Sequence, residues 1–333
     1  MIKICINKKP SQDWNDNLKK SEYGSVYQTK EFGVYGKEHM SSQPLYLTFY
    51  DEKQIVGQLL LFQTVKGLSK ILKLFGRGFI YNNISKIGFL PKHIFWIFGP
   101  IIFDTKFKDE VLNSLGNFII SKKCTFKGTC HPLMNHFSFN EKFNFREDNL
   151  GTFIISLSNS IEDILKNTDK KSVQKNIKRS QERGVKISQI KNKKDLILYC
   201  ELLNEFRKSN NLETFSLKNI VEGYNLLKDL GHIGFLAWYE EKLIGGVFIS
   251  TFNNFINEWG IVSSNFDRQN KLYCIDYLRW KIIEWGKKNG LKYYDLSGIK
   301  LSDRTNKEEG IFKNKMKWGG ELFQYISFTN KFK

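Results

Sequence analysis

The feature that most constrains this fold is a run of three strand-like segments in the second half of the chain. They are rich in β-branched and aromatic residues and cover Ile233 to Tyr239, Leu243 to Thr251 and Phe255 to Val262. Polar turns of two or three residues, 240–242 and 253–254, separate them. Such short turns place consecutive strands side by side in opposite directions, so the sequence predicts an antiparallel meander.

The order of elements around this meander predicts a mixed α/β protein. In the second half, the elements expected before the meander are the strand 152–157, a basic helix 169–183 ended by Gly184, the strand 185–190, and helices 194–208 and 217–230. After the meander we expect a long helix 271–288, the strand 292–296, an amphipathic helix from Glu308 and a strand 322–328. The first half has a looser version of this order: a strand 2–6, helices 12–20 and 29–39, strands 45–50, 54–65 and 94–98, a helix to Ile120 capped by Asp104 or Thr105, a strand 124–129 and a short helix 131–139. We therefore predict two domains, 1–150 and 151–333.

Positive charge is concentrated in one segment of the second half. The chain carries a net charge of +18. Between Lys166 and Lys194, here called the basic segment, eleven Lys and Arg face only two acids, which gives +9. A field of this kind attracts polyanions such as RNA phosphates and anionic lipid headgroups, although a solvated surface would show the same composition.

The sequence argues against several classes of protein. The N-terminal residues lack the apolar region of a signal peptide, and the longest apolar run, Ile94 to Phe103, is about half of the roughly 20 residues that cross a bilayer. We therefore expect a soluble, cytoplasmic protein. Five cysteines without a CxxC pair indicate reduced thiols, and the spacing of Cys124, Cys130, His131 and His136 is unlike a zinc site, so we predict no metal.

Lys313 is the candidate reactive residue of the C-terminal region. It follows Phe312 within the amphipathic segment, whose apolar positions are Ile311, Phe312 and Met316. A polar loop after the strand at Tyr294 precedes this segment. This segment by itself indicates that Lys313 is a solvated lysine on a lysine-rich helix.

The order of elements resembles the Gcn5-related N-acyltransferase (GNAT) layout, repeated in tandem. In that layout, acyl-CoA enzymes place R/Q-x-x-G-x-G/A between the last splayed strand and the next helix, where backbone N–H groups hold the pyrophosphate. Here the corresponding segment, Ser263 to Lys271, contains no glycine. This absence argues against acyl-CoA as the donor.

The chain is also similar to the Fem family, the aminoacyltransferases that build peptidoglycan interpeptide bridges. Six segments of this chain resemble family motifs and follow one another in the family's order. With the family's motif in parentheses, they are residues 27–37 (Q-S-x-x-W-x-x-x-K), 98–104 (R-G-P-x-x-D), 152–165 (T-x-x-I-D-L-S-x-S-x-E-E-L), 178–185 (R-x-I-R-x-A-x-x-x-G-V), 294–298 (Y-D-x-x-G) and 310–313 (G-x-x-x-F-K). Phe32 stands where the family commonly has Trp, and the family's arginine after the first long helix of the second domain has no clear counterpart near Arg207.

The resemblance implies transfer of an amino acid from aminoacyl-tRNA to the stem-peptide amine of a peptidoglycan precursor. Lys313 then stabilises negative charge during transfer, either on the tetrahedral oxyanion or at the tRNA 3′ end. Phe312, Lys37 and Asp104 are then substrate-binding residues, of which Lys37 and Asp104 hold the precursor. The basic helix binds tRNA phosphates or the anionic inner face of the membrane through Lys171, Lys175, Lys178, Arg179 and Arg183. The acceptor is a lipid-linked or nucleotide-linked muropeptide, no further cofactor is expected, and the protein is expected to be a monomer.

Two alternatives remain. One is an acyl-CoA-dependent N-acyltransferase that acts on an amino sugar or a cell-surface polysaccharide. The other is an RNA-binding module without enzymatic activity, which the charge favours although no RNA-recognition motif is present.

Overall fold

The structure, a computed structural model, describes residues 2–65, 92–134 and 138–330. The chain divides into two compact units, Met1–Leu150 with Gln324–Lys333 and Gly151–Phe323. Residues 324–333, which the sequence interpretation assigned to the second domain, thus group with the first unit. The reason is that Phe328 is fully buried in the core of the first unit.

The elements of the described residues are, in chain order, as follows. The first unit begins with β1 (Lys3–Asn7), α1 (Trp14–Lys19), α2 (Lys30–His39), β2 (Gln43–Asp51), β3 (Gln54–Val65), β4 (Lys92–Trp96), β5 (Ile101–Ile102), α3 (Lys108–Ser121) and β6 (Thr125–Thr129). The chain continues through β7 (Phe145–Ser156), α4 (Ile161–Asn167), α5 (Lys175–Glu182), β8 (Val185–Gln189), α6 (Lys193–Ser209), α7 (Leu217–Leu227), β9 (His232–Tyr239), β10 (Lys242–Phe252) and β11 (Phe255–Ser263). It ends with α8 (Asn265–Gln269), α9 (Cys274–Lys288), β12 (Tyr293–Asp295), β13 (Ile299–Lys300), α10 (Asn306–Met316) and β14 (Glu321–Asn330).

In the first unit the strands follow the order β1-β2-β3-β4-β6-β14. Neighbours are antiparallel except for β4 and β6, which run parallel. Apolar residues of β2 and β3 pack against Val111, Leu115 and Ile119, which recur at helical spacing along α3. The segment Gln324–Asn330 completes this sheet through β6, where Phe328 pairs with Gly128.

In the second unit the strand order is β7-β12-β11-β10-β9-β8. The predicted meander is present as β9, β10 and β11, and both residues of its second turn, Asn253 and Asn254, have positive φ, as tight hairpin turns require. The apolar face of α9 packs on these strands. The second unit is therefore organised around the segment from which its fold was predicted.

The parallel strands β11 and β12 pair over three residues only, at the start of β11. The two strands pair only from Phe255 with Tyr293 to Asn257 with Asp295, whereas β11 continues to Ser263. Ser297, with φ +69°, turns the chain away from the sheet, and its hydroxyl donates a hydrogen bond to the carbonyl oxygen of Glu258 at 2.6 Å. The carboxyl ends of parallel strands are where open α/β sheets bind ligands, so this point marks a candidate site.

Three predicted helices differ from the observed ones. The long helix begins at Cys274 rather than at residue 271, because Tyr273 has φ +57° and interrupts it. The basic helix starts with a π-turn, Lys170–Gln174, before α5. The predicted helix 131–139 is absent from residues 131–134 and 138–139, and residues 135–137 lie outside the described part.

Candidate active site

A buried carboxylate lies where β12 ends. Asp295 is 1% exposed. Its Oδ1 accepts hydrogen bonds from the Thr152 hydroxyl and from the Ser297 amide at 2.7 Å, and its Oδ2 accepts one from the Asn257 amide at 3.1 Å. Burial raises the pKa of Asp295 to about 6, although these donors and Lys315 oppose the shift. The site thus holds a carboxyl group that ionises near neutral pH.

A buried lysine faces the same turn. Lys315 of α10 is 8% exposed, and its ammonium donates to the carbonyl oxygens of Ser297 at 2.8 Å and Gly298 at 3.2 Å. Burial lowers the pKa of Lys315 to about 8, while the nearby Glu258 and Asp295 carboxylates act in the opposite direction. We call Thr152, Asn257, Asp295, Ser297 and Lys315 the strand-end cluster.

A buried ion pair between Glu258 and Arg279 lies next to the strand-end cluster. Arg279 of α9 binds both carboxylate oxygens of Glu258 at 2.8 and 2.9 Å, and both side chains are 4% exposed. Burial acts to raise the pKa of Glu258, but the Arg279 guanidinium, together with Lys315 and the Tyr294 hydroxyl, outweighs burial and lowers it. Tyr294 donates to Glu258 at 2.8 Å, and Arg279 also reaches Asn314 of α10 at 3.0 Å. The pair therefore links β11, α9, β12 and α10.

Helix α10 presents a different face to the core than its sequence suggested. Thr305 and Glu308 form a capping box at its start. Phe312 packs edge-to-face on Phe153 at 5.4 Å, whereas Ile311 and Met316 are exposed. Lys315 follows Phe312 by three residues and so lies on the same side of the helix. The face that α10 turns towards the core therefore carries the partly buried Phe312 and the buried Lys315, instead of the three apolar positions that were predicted.

The residues that the motifs predicted as functional differ in their exposure and in their contacts. Lys313 has a side chain 68% exposed and lies 3.5 Å from Glu309 of the same helix. In the first unit, Lys37 is exposed on α2. Asp104 accepts a hydrogen bond from the Lys106 amide at 3.0 Å and so caps the 3-10 turn Thr105–Phe107. The prediction that Asp104 or Thr105 caps the helix to Ile120 is wrong, because α3 begins at Lys108, after Phe107, without a side-chain cap. The functional roles of Lys313, Lys37 and Asp104 remain predictions.

The basic helix combines exposed lysines with anchored arginines. Lys171, Lys175 and Lys178 are exposed. Arg183 donates to the carbonyl oxygens of Asn270 and Lys271 at 2.7 and 2.5 Å, and Arg179 lies 3.3 Å from the Tyr273 hydroxyl. Both arginines thus hold the segment before α9, while the lysines face solvent.

The start of α9 is occupied by a carboxylate of the chain itself. Asp267 is 5% exposed and accepts a hydrogen bond from the amide of Cys274, the first residue of α9, at 2.9 Å. In an acyl-CoA enzyme this helix start would bind pyrophosphate. A buried carboxylate there opposes an anionic ligand, which adds to the missing glycines.

Motif matching missed Lys315, Glu258 and Arg279. One signal for Lys315 was available, because residues 312, 315 and 318 are spaced three apart and both Phe312 and Trp318 are aromatic. A lysine spaced three residues from an aromatic residue on either side is a candidate for burial, although α10 itself ends at Met316, before Trp318. Asp295 lay within a matched motif but was assigned no role.

The described part of the chain contains no group of three or more His, Cys, Asp or Glu side chains that could hold a metal ion. His136 lies outside it. In residues 2–65, 92–134 and 138–330, no helix has both the length and the apolar character needed to cross a membrane.

Comparison with known proteins shows similarity in structure rather than in sequence. No family model and no curated protein matches the chain. The solved structure of FemX has a TM-score of 0.70 at 11% identity and covers 97% of this chain and 96% of its own. L-PGS from Bacillus licheniformis has a TM-score of 0.60 at 12% identity, with 98% and 93% covered.

A tandem GNAT protein from the clavulanic acid biosynthesis pathway has a TM-score of 0.56 at 9% identity, with 99% of this chain and 98% of that one covered. Identities this low establish a shared fold alone. The predicted α/β class and tandem GNAT architecture are confirmed, and the chain has a Fem-like tandem GNAT fold.

Proposed function

We propose that this protein is an acyltransferase that moves an amino acid from aminoacyl-tRNA to the stem-peptide amine of a peptidoglycan precursor. The observation that carries the proposal is the buried Lys315 ammonium at the point where β11 and β12 separate. The fold shared with FemX and the ordered Fem-like motifs support it.

The chemistry needs a cation in such a place. The acceptor amine attacks the ester carbonyl of the aminoacyl-tRNA, an oxyanion forms, the ester C–O bond breaks, and the tRNA hydroxyl leaves with a proton while an amide is made. An ammonium has three N–H groups, and among the described residues the Lys315 ammonium bonds two carbonyl oxygens, so the third is available to an oxyanion. A preorganised donor of this kind is typically worth a hundredfold to a thousandfold in rate.

The proposal also assigns roles to the residues that were predicted from the motifs and from the basic helix. Lys313 and Phe312 lie on the same helix as Lys315, and Lys313 offers a second, solvated positive charge. Lys37 and Asp104 are proposed to bind the lipid-linked or nucleotide-linked precursor. The exposed lysines of the basic helix are proposed to bind tRNA phosphates or an anionic membrane surface.

The decisive experiment offers both donor classes to the purified protein with a muropeptide acceptor. We expect transfer from aminoacyl-tRNA and none from acetyl-CoA, because Asp267 occupies the start of α9. Transfer that requires acetyl-CoA and ignores tRNA would establish the acyl-CoA alternative instead.

Two matched variants locate the transfer site. Lys315→Met should lower the rate from aminoacyl-tRNA by roughly a hundredfold to a thousandfold, and Lys313→Met should have a smaller effect because its amine is solvated. Unfolding curves of both variants control for loss of structure. Full activity of a folded Lys315→Met protein would contradict the role of Lys315.

A further inference from the structure

Asp295 does not face solvent, yet it contacts the turn that holds Lys315. Its carboxylate accepts hydrogen bonds from Thr152 on β7 and Asn257 on β11, which fixes it between two neighbouring strands. It also accepts from the amide of Ser297, whose own carbonyl oxygen receives the Lys315 ammonium. Carboxylate, turn and ammonium therefore form one connected chain of hydrogen bonds.

Thr152 closes this arrangement. Its hydroxyl lies within hydrogen-bond distance of both Asp295 and the Ser297 carbonyl oxygen, the latter at 2.9 Å. One hydroxyl hydrogen serves one acceptor at a time, and an ionised carboxylate is the stronger acceptor. Ionised Asp295 thus draws the hydroxyl hydrogen to itself, so that Thr152 holds the carboxylate beside the Ser297 turn.

The charged and titratable groups near the cluster come from four elements. Glu258 lies on β11, Arg279 on α9, Tyr294 on β12 with Asp295, and Lys315 on α10. Glu258 and Arg279 bind each other in two places, and Tyr294 donates to Glu258. The Arg279 charge opposes the effect of Glu258 on the pKa of Lys315, and Asp295 adds a further negative charge that favours the ammonium.

We propose that Asp295 is a positioning residue that holds the Ser297–Gly298 turn, and through its carbonyl oxygens the Lys315 ammonium, in the arrangement that acyl transfer requires. This inference rests on the proposed function. It assigns Asp295 no contact with substrate.

A defined pH dependence follows. Asp295 has a pKa of about 6, so the rate should rise as the carboxyl group ionises near that pH. Lys315 has a pKa of about 8, so the rate should fall as its positive charge is lost above that pH. Because the Asp295 charge favours the ammonium, its removal should lower the pKa of Lys315.

The test is Asp295→Asn, which keeps an oxygen acceptor for Thr152 and Ser297 but removes the charge. We expect the acid side of the rate profile to disappear and the alkaline side to move about one pH unit lower. Asp229→Asn, an exposed change of the same charge, is the matched control and should leave both sides of the profile in place. An unmoved alkaline side in a folded Asp295→Asn protein would overturn the proposal.

A second measurement does not depend on activity. NMR titration of protein labelled at lysine, with the Lys315 signal assigned from Lys315→Met, should show a lower pKa for Lys315 in Asp295→Asn. If the pKa moves but neither donor is used, the proposed function fails and the coupling stands. If transfer occurs and the pKa does not move, the coupling fails and the function stands.

Thr152→Val serves if Asp295→Asn does not fold. It removes a donor to the carboxylate but no charge, so Asp295 should ionise above pH 6 and the acid side of the profile should move to higher pH. An acid side that stays near pH 6 in this variant would contradict the positioning role.

Discussion

At the scale of single residues, burial separates two lysines that lie on one helix. Lys313 and Lys315 are two positions apart, but only Lys315 points into the second unit. The sequence could predict α10 and its cap, because these depend on local signals. The spacing of Phe312, Lys315 and Trp318 makes Lys315 a candidate for burial, but the sequence could not predict what the ammonium contacts, because the two carbonyl oxygens that receive Lys315 belong to a turn 17 and 18 residues away.

The Glu258–Arg279 pair leads to a stability prediction for a residue outside any matched motif. Arg279→Met should lower the free energy of unfolding by about 3–5 kcal/mol, because it leaves a buried carboxylate without its counter-ion. Urea denaturation at pH 7 measures the change.

Two controls accompany this variant. Lys218→Met breaks an ion pair whose side chains are 78% and 47% exposed, and it should not measurably change the denaturation midpoint. The double variant Glu258→Leu with Arg279→Leu should recover much of the loss, since no unpaired charge remains. Equal stability of Arg279→Met and the wild type would show that the pair is not a structural support.

At the scale of elements, local chemistry predicted most helices and strands, and it failed where a single residue has an unusual conformation. The strands of the meander follow from alternation and polar turns, and Gly184 ends the basic helix with φ +81° as expected. The start of α9 was misplaced because Tyr273 is an aromatic residue with positive φ, which no propensity indicates.

The basic helix supplies a prediction at this scale. Changing Lys171, Lys175 and Lys178 to Gln should weaken tRNA binding and make it less dependent on salt, because three exposed charges no longer displace counter-ions. The slope of log K against log salt should decrease in size by about two to three. Filter binding or fluorescence anisotropy at several salt concentrations measures it.

The matched control changes three exposed lysines of the first unit, Lys3, Lys8 and Lys9, to Gln. The net charge falls equally, but the slope should hardly change if binding is local to the basic helix. Equal effects of both triple variants would indicate general attraction by the net charge of the protein.

At the scale of the whole molecule, a deeply buried histidine lies in each unit among the residues that the structure describes. His131 lies in the first unit and His232 in the second, and burial lowers the pKa of each to about 3. The unfolded chain therefore binds more protons below about pH 6.5 than the folded one. Stability is full above that pH and declines as the pH falls towards 3.

We expect each histidine to lower the free energy of unfolding by about 2 kcal/mol between pH 8 and pH 5. Urea denaturation at several pH values measures this decline. A variant with His131→Asn and His232→Asn should show a flatter pH dependence, whatever its stability at pH 7. An unchanged slope would show that carboxyl groups alone cause the decline.

The partner of the last strand could not be predicted from local patterns. Alternation identifies 322–328 as a strand but carries no information about its partner, so the segment was assigned to the domain that precedes it. The structure pairs it with β6 in the first unit, nearly 200 residues earlier: Ser327 lies opposite Thr129, and the amide of Phe126 bonds to Asn330 across 204 positions.

This pairing has a consequence for how the protein is made. A ribosome adds about 5–20 residues per second, so on the order of ten seconds or more pass between synthesis of β6 and synthesis of its partner. During that time the edge of β6 that Gln324–Asn330 will cover has no strand to pair with. A nascent chain in this state offers a template for unwanted strand addition, and a chaperone that shields such edges would find its substrate here.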